Sequence, residues 1–274
     1  LLQHQELQQQ GKLEPYTSEV QGRVIFISHQ WLGYEHPDPV GEQFSVLQRV
    51  LTRLMQGEIV CVESHWNQQM LTGRTVVVTG VEWKAALPHM YFWLDYAGIP
   101  GITVREANDA VKKAETLAAL QAAVESIPAY VEWSWLFIVL TPPAEHKDTQ
   151  AVVDYSTWLR RGWCRAEAMA RLLARDSGPM IKLVSAEGTP ELIPSYQAWF
   201  MQPGKGQFTC CWKNHLFPQE DKETGEVINS SKVPLFCSSA KCLMVRIGSR
   251  KISDTARLPI MTRREASPVT AIPM

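Results

Sequence analysis

The sequence predicts an α/β fold in which helices cover both faces of a mainly parallel sheet, the doubly wound arrangement. Mainly apolar runs recur at residues 23–28, 91–95, 136–141 and 180–184, and the first of them is continuous. Runs of this length are typical of strands that are buried on both faces of a parallel sheet. Segments with helical spacing alternate with these runs, and this alternation favours parallel strands joined by right-handed crossovers.

Two helices are predicted between the first three of these strands. The first helix spans residues 42–55 and has an apolar face made of Phe44, Leu47, Leu51 and Leu54. The second helix begins at a capping box formed by Thr103 and Glu106 and is rich in Ala and Leu. It is expected to end near residue 126, because Pro128 cannot continue it.

A hairpin insertion is predicted at about residues 57–83, between the first helix and the second strand. Residues 59–62 and 75–81 are β-rich runs joined by a polar loop. Two such runs around a polar loop are typical of paired antiparallel strands. The α/β domain that carries this insertion is expected to span residues 23–190.

Weaker patterns precede and follow this domain. Residues 1–22 are rich in Gln and are expected to form a flexible lead-in or the end of an upstream helix. Residues 191–274 are expected to form an irregular C-terminal extension, since the pattern of strands and helices fades there. The extension can supply a further strand from residues 233–236 or from residues 243–247, and both alternatives stay open.

The composition of the 274 residues excludes several classes of protein. Apolar residues make up 45% and charged residues 20%, so the chain is expected to fold rather than remain disordered. The net charge of −1 offers no general attraction to nucleic acid, and no nucleic-acid partner is expected. No apolar run reaches the roughly 18–20 residues of a membrane span, and no signal peptide is recognisable, so we expect a cytoplasmic protein.

The six dispersed cysteines do not resemble the framework of a small disulfide-rich protein. The spacings Cys211-x3-His215 and Cys237-x4-Cys242 fall within the range of zinc ligands, and Cys210 is adjacent. These pairs are not the usual Cys-x-x-Cys, so buried free thiols are the favoured interpretation and no metal site is expected. Glycine-rich nucleotide-binding loops and a nucleophile elbow are absent from the sequence.

Residues 156–173 follow the third strand and are predicted to form one amphipathic helix. Ser156 or Thr157 is expected to cap its N-terminus. The apolar face recurs at helical spacing and consists of Leu159, Trp163, Ala166, Ala170 and Leu173. One side of this helix must therefore face the core.

Glu167 is the candidate catalytic residue of this helix. It lies one turn after Trp163, at the border of the apolar face, where a carboxylate is half sheltered beside an indole. A carboxylate in such a position can be a catalytic group. The alternative is that Glu167 pairs with Arg171, four residues later, as charged residues on a helix surface usually do.

Further candidate residues follow the first two strands. Ser28, His29 and Trp31 lie at the end of the first strand, and Asp95 ends the second. Ligands of doubly wound sheets bind beyond the carboxyl ends of the strands, so these residues and Glu167 can meet at one crevice. His29 has a structural alternative, in which it is a hydrogen-bonded side chain that pins the loop after the strand.

Four motifs occur in order along the chain: Phe-Ile-Ser-His at 26–29, the glycine-containing segment at 95–101, Ile-Pro-Ala-Tyr running into Phe-Ile-Val-Leu-Thr at 127–141, and Trp-Cys-x-x-Glu at 163–167. Together they resemble the boxes of Toll/interleukin-1 receptor (TIR) domains, over residues 23–185. Trp93-Leu-Asp95 and Arg161-Gly-Trp163-x3-Glu167 are also similar to fungal heterokaryon-incompatibility domains. The fold expected from the resemblance is a flavodoxin-like doubly wound sheet.

The TIR resemblance implies a signalling domain that hydrolyses NAD at the bond between nicotinamide and ribose. Glu167 matches the glutamate that is catalytic in the NAD-cleaving TIR domains, and we expect it to be ionised at neutral pH. Its carboxylate would stabilise an oxocarbenium-like state. Substrate-binding roles are expected for Ser28, His29, Trp31, Asp95, Gly98, Trp163 and Cys164.

Under this resemblance NAD is the substrate and no cofactor is needed. The loop at 98–101 would gate the site, and several copies of the chain would assemble on activation. Two alternatives stay open: a non-catalytic module for homotypic assembly, of the TIR or heterokaryon-incompatibility type, and a glycosyl transferase that acts on nucleosides. The product, free or cyclised ADP-ribose, also stays open.

Overall fold

The computed structural model describes residues 1–17, 19–63, 70, 77–101, 110–175, 178–193, 217–220, 227–230 and 270–273. The helices are α1 (His4–Gln9), α2 (Glu42–Gln56), α3 (Gly80–Ala86), α4 (Asp95–Gly98), α5 (Ala110–Glu125), α6 (Ile127–Trp133), α7 (Tyr155–Trp158) and α8 (Gly162–Leu173). The strands are β1 (Glu14–Pro15), β2 (Val24–His29), β3 (Cys61–Glu63), β4 (Val77–Thr79), β5 (Tyr91–Trp93), β6 (Leu136–Leu140), β7 (Ala144–Glu145), β8 (Val152–Val153), β9 (Met180–Leu183), β10 (Glu191–Ile193), β11 (Phe217–Glu220), β12 (Val227–Ser230) and β13 (Thr270–Pro273).

The main sheet in the described part of the chain has seven strands, in the order β1-β13-β5-β2-β6-β9-β10. Its central strands β5, β2, β6 and β9 are parallel to one another, and the outer strands join through antiparallel pairs. These central strands are the four apolar runs of the sequence. The prediction of an α/β protein with a mainly parallel sheet is therefore confirmed.

Helices pack on both faces of this sheet, as β2 illustrates. All six of its residues are buried. Ile25 and Ile27 pack in one core with the apolar face of α2, whereas Phe26 packs in a second core with residues of α6 and α8. A strand whose two faces are both covered must be apolar throughout, which is why period-2 alternation is absent from its sequence.

The two strands of the predicted hairpin insertion pair with each other. β3 and β4 are antiparallel, with Val62 opposite Val78. α3 follows β4 directly, is capped by the Thr79 hydroxyl, and buries Trp83 in the core beneath α2. The hairpin thus extends the α2 face of the domain and leaves the opposite face to α6 and α8.

The segment after β6 differs from the predicted single helix over residues 156–173. It forms two helices, α7 and α8, because the chain leaves the helical conformation between them. Leu159 still has helical angles, whereas Arg161 is extended, with φ −74° and ψ 128°. The Asp154 carboxylate caps α7 by accepting the Thr157 N–H at 2.9 Å. The predicted caps, Ser156 and Thr157, lie inside the first turn, where a side chain cannot serve as the N-cap.

Both terminal segments contribute to the sheet. β1 comes from the predicted lead-in and pairs with β13 from the predicted extension, while β10 pairs with β9. α1 packs on α4 and buries Leu7 in the core, so the segment expected to be a flexible lead-in forms packed elements. The alternatives for a further strand at 233–236 and 243–247 lie outside the described residues, as does the predicted capping box at 103–106.

Candidate active site

A cleft of about 480 Å³ opens beyond the carboxyl ends of β2 and β5. Its walls come from the loop after β2, from α4 and the residues after it, from α5 and from the N-terminal half of α8. Six of the eight predicted site residues line it: His29, Trp31, Asp95, Trp163, Cys164 and Glu167. The three chain segments that were predicted to form one crevice, namely the ends of β2 and β5 and the helix that carries Glu167, therefore meet at one edge of the sheet.

Glu167 lies in the wall of this cleft with 9% of its surface exposed. Its Oε2 accepts a hydrogen bond of 2.5 Å from the Ser28 hydroxyl at the end of β2. The Ser28 oxygen in turn accepts a bond of 3.0 Å from the Trp158 indole N–H of α7. Because an indole N–H can only donate, the Ser28 hydrogen is directed at Glu167. β2 and α7 thus hold one carboxylate oxygen in place.

Burial raises the pKa of Glu167 to about 8, since the charged form loses its hydration. The hydrogen bond from Ser28 opposes this rise, and the nearby charge of Asp95 adds to it. The expectation that Glu167 is ionised at neutral pH is therefore wrong for the free protein. A cation that enters the cleft would favour the ionised form.

The alternative in which Glu167 pairs with Arg171 on the helix surface is also wrong. Arg171 is 1% exposed and points away from the cleft. Its guanidinium donates to the carbonyl oxygens of Val131, Ser134 and Trp135, at distances of 3.2, 2.7 and 2.7 Å. The two side chains are one turn apart on α8, but Glu167 lies in the cleft wall, whereas Arg171 lies among the carbonyl groups at the end of α6.

His29 is held between α2 and α4. Its Nδ1 lies 3.1 Å from Oε1 of Gln43, and its Nε2 lies 3.1 Å from Oδ1 of Asp95. The Gln43 amide donates from Nε2 to the Gln30 carbonyl at 3.0 Å, so its oxygen is the atom that faces His29. Both ring nitrogens of His29 therefore face acceptors, which favours the doubly protonated ring.

His29 and Asp95 form an ion pair beside Glu167. Burial of the ring lowers the pKa of His29, but the charge and hydrogen bond of Asp95 outweigh it and the net pKa is raised. Burial likewise opposes ionisation of Asp95, but the charge of His29 and hydrogen bonds from Trp31 and the Tyr96 N–H lower its pKa below the ordinary value. This geometry favours the structural alternative for His29, in which it pins the loop, although its ring also lines the cleft.

Aromatic rings form much of the cleft wall. The Trp31 indole donates to Oδ2 of Asp95 at 2.8 Å and meets the Tyr96 ring edge-on, with centroids 5.8 Å apart. Trp163 lines the cleft from the first turn of α8 and is half-buried. Flat apolar surfaces of this kind suit the rings of a nucleotide or of nicotinamide.

Ser28 and Gly98 lie behind the cleft wall. Ser28 is 1% exposed, and its hydroxyl donates a hydrogen bond to Glu167 instead of facing the cleft. Gly98 ends α4, so the segment expected as a loop begins with a helical turn, and a Cβ at this position would lie 2.8 Å from Nε1 of Trp93. Cys164 does line the cleft, but burial raises the pKa of its thiol well above the ordinary value, so it stays uncharged.

Several residues of the site had no assigned role in the sequence analysis: Gln43, Tyr96, Trp158, Arg161 and His146. Arg161 and Tyr96 belong to motifs that the sequence analysis recognised, so the sequence contained a signal for their position near the cleft. Gln43 and Trp158 had none, because an amide on an apolar helix face and a tryptophan in a Trp-rich chain have ordinary structural explanations. His146 lies in a loop without a motif.

The described residues contain no group of three or more His, Cys, Asp or Glu side chains that could hold a metal ion. The cysteines considered as zinc ligands, Cys210, Cys211, Cys237 and Cys242, lie outside the described residues together with His215. Among the helices that the structure describes, none is both long and apolar enough to cross a membrane.

Comparisons with known proteins add no relative to this description. A scan of the chain against models of protein families gives no match. Searches of curated proteins and of solved structures also give no match. The function therefore has to be argued from the chemistry of the cleft.

Proposed function

We propose that the chain is a TIR-like signalling domain that hydrolyses NAD at the bond between nicotinamide and ribose, with Glu167 as the catalytic carboxylate. The observation that carries the proposal is the Glu167 carboxylate, buried in an aromatic-lined cleft with one oxygen held by Ser28. The other oxygen, Oε1, has no hydrogen bond to the residues that the structure describes. It is available to a ligand.

The reaction breaks the bond between C1′ of the ribose and N1 of the nicotinamide ring. The bonding electron pair goes to the ring nitrogen, so nicotinamide leaves as a neutral molecule and C1′ becomes oxocarbenium-like. A carboxylate beside C1′ stabilises that positive charge, and water then adds to C1′ and loses a proton. Three carboxylates line the cleft: Asp95 is paired with His29 and Glu35 is exposed, whereas Glu167 is buried and has no ion pair among the described residues.

The raised pKa of Glu167 suits a cationic substrate. In the free protein the side chain is largely protonated at neutral pH, because its pKa is about 8. The positive nicotinamide ring of NAD favours the ionised form, so binding would release a proton. The rate at low substrate concentration should then increase as the pH rises through the pKa of Glu167.

The direct test is release of nicotinamide from NAD by the purified chain and by its Glu167→Gln variant. We expect the variant to be slower by at least about 100-fold, since a neutral amide cannot stabilise the oxocarbenium charge. Glu132→Gln is the matched control, because Glu132 is exposed on α6 away from the cleft. Equal rates for wild type and the Glu167 variant would refute the catalytic role, as would a wild type that releases no nicotinamide.

The second candidate is a non-catalytic module for homotypic assembly. It is favoured by the exposed apolar residues of α5, where Val111 is 68% and Leu117 is 41% exposed. Under this alternative, Val111→Asp and Leu117→Asp would reduce the size of any assembly measured by light scattering, and Glu167→Gln would leave both size and NAD unchanged. Under the catalytic proposal, assembly of several copies completes the site.

The sheet supports the fold expected for such a domain. Its four parallel strands lie in the order second, first, third and fourth along the chain. The same order begins the flavodoxin-like sheet, in which ligands bind where the strand order reverses. We accordingly infer a flavodoxin-like domain, acting in the cytoplasm, with the loop at 98–101 as the gate of the cleft.

A further inference from the structure

We propose that the N-terminal segment, residues 1–7, is a strap that holds the gate at residues 98–101 against the rim of the cleft and so controls access to Glu167. The role of residues 98–101 as a gate rests on the proposed function, whereas the attachment of the strap to them does not. The strap was expected to be a flexible lead-in, and the sequence analysis gave none of its residues a role.

The strap is hydrogen-bonded to both ends of the gate. Nδ1 of His4 lies 3.0 Å from the carbonyl oxygen of Ala97, the residue before the gate. Because a carbonyl oxygen can only accept, this nitrogen carries the ring proton and donates it. The Gln5 amide donates from Nε2 to the carbonyl oxygen of Gly101, the last residue of the gate. Two successive residues of the strap thus hold the gate at its start and at its end.

The second half of the gate has few other attachments. The N–H groups of Gly98 and Ile99 donate to the carbonyl oxygens of Leu94 and Asp95, at 2.7 and 2.8 Å, so the first half of the gate continues the turn of α4. For residues 99–101, the bond from the strap is the one side-chain hydrogen bond that the described residues supply. A Cβ at Gly101 would meet no described atom within 4 Å. A segment with so few contacts opens at low cost once the strap is displaced.

The strap also contacts a second wall of the cleft, the loop after β2. The carbonyl oxygen of Leu1 lies 3.2 Å from Nε2 of His36 in that loop. Nδ1 of His36 accepts the N–H of Asp38 at 3.0 Å, so Nε2 carries the proton of the neutral ring and donates to Leu1. Gln3, between the two sets of contacts, itself lines the cleft. The strap therefore joins the loop after β2 to the gate.

The strap is anchored firmly at one end and incompletely satisfied where it holds the gate. Leu7 is 6% exposed and packs in the same core as Leu94 and Ala97. In contrast, Oε1 of Gln5 is buried without a hydrogen bond to any described residue. A buried carbonyl oxygen without a partner has lost its hydration, which disfavours the attached position of the strap. The strap can therefore release the gate while Leu7 keeps it attached to the domain.

The test measures hydrogen exchange of the Gly98 and Ile99 N–H groups by NMR in the whole chain. Gln5→Glu keeps the shape of the side chain but places an acceptor against a carbonyl oxygen, so we expect exchange to become faster by at least about tenfold. His4→Phe keeps a ring and removes the other donor, and we expect an increase of about fivefold. Gln8→Glu is the matched control, because Gln8 is exposed on the same helix. Its exchange rates should equal those of wild type.

Alkylation of Cys164 by iodoacetamide measures access to the cleft in the same proteins. Cys164 lines the cleft and is 3% exposed, so the reagent should reach its thiol when the gate is displaced. We expect Gln5→Glu to speed alkylation of Cys164 by about the same factor as the exchange of the gate. Cys61, in the hairpin, is the internal reference and should react equally in all variants.

Unchanged exchange at the gate in Gln5→Glu and His4→Phe would overturn the strap. So would an equal acceleration in β2 and β6, because it would show a loss of stability throughout the domain instead of release of the gate. Faster exchange at the gate with unchanged alkylation of Cys164 would overturn the control of access. Release of the gate by Gln5→Glu, in a chain whose wild type frees no nicotinamide from NAD, would refute the proposed hydrolysis and leave the strap standing.

Discussion

Glu167 and Arg171 lie one turn apart on α8, and the fold treats their buried charges in opposite ways. Arg171 is surrounded by three carbonyl oxygens and has no carboxylate partner among the described residues. Glu167 receives one hydrogen bond and faces a cleft. Burial lowers the pKa of Arg171 only to about 10, so it stays charged at neutral pH, whereas burial raises that of Glu167 to about 8.

Arg171 is therefore a structural residue that keeps its charge, whereas Glu167 can gain or lose a proton near neutral pH. Arg171 joins the C-terminal end of α6 to the start of β6, where the carbonyls and the negative pole of the helix dipole compensate a cation. Gly178 packs against it so closely that a Cβ there would collide with the guanidinium. Glu167 has an incomplete shell, and a partly satisfied buried carboxylate is typical of functional sites.

Replacement of Arg171 should cause the largest loss of stability. Arg171→Met keeps most of the buried volume but leaves the carbonyls of Val131, Ser134 and Trp135 without their donor. We expect the free energy of unfolding to fall by about 3 kcal/mol. Urea unfolding measures this, and Arg175→Met, at an exposed position, should change it by less than about 0.5 kcal/mol. A similar loss in both variants would contradict the structural role.

Replacement of Glu167 by Gln should raise the free energy of unfolding relative to wild type at alkaline pH, which is opposite to the effect of replacing Arg171. The pKa of Glu167 is about 8 in the folded protein, above the ordinary value of 4.5. Between these values the folded state retains a proton that the unfolded state has lost, so the stabilising contribution of this proton declines as the pH rises toward 8. Glu167→Gln has no such proton to lose.

The stability of Glu167→Gln relative to wild type should therefore increase by about 4 kcal/mol between pH 5 and pH 8.5. Urea unfolding of both proteins at the two pH values measures the change. Glu132→Gln again serves as the control, since Glu132 is exposed. A difference that stays constant with pH would mean that Glu167 titrates in the folded protein much as it does in the unfolded chain.

The smallest effect is expected at Ser28. Ser28→Ala removes the donor to Glu167 and leaves the Trp158 N–H without its acceptor, which should lower the free energy of unfolding by about 1 kcal/mol. Because the Ser28 bond lowers the pKa of Glu167, its loss should move the acid limb of the activity profile to higher pH. Ser45→Ala, at an exposed position on α2, should leave the profile unchanged. An unshifted profile for Ser28→Ala would separate Ser28 from the titration of Glu167.

Much of the fold was predictable because it depends on local patterns. The four parallel strands are apolar runs, interrupted in β9 by Lys182, and α2 has the periodic face expected of an amphipathic helix. The break between α7 and α8 was not predictable in the same way. The apolar spacing over residues 156–173 continues across the break, and only the capping of α7 by Asp154 reveals where the first helix begins.

The sequence predicted most of the residues that line the candidate site, but it did not predict which residues they contact. Glu167, His29, Trp31 and Asp95 were selected because they follow strands or adjoin an apolar face, and all four line the cleft. The pairing of Glu167 with Arg171 followed from helix spacing but is absent, because the side chains turn to different neighbours. The contribution of Trp158 depends on a contact between residues 130 positions apart.

The sequence by itself determined which segments are buried and which polar residues stand at their ends, because hydrophobic patterns act along the chain. Only the tertiary structure decided the charge states, because a pKa depends on the burial and the neighbours that a side chain acquires on folding. Glu167 and His29 illustrate this: the folded surroundings favour the neutral form of the acid and the charged form of the base.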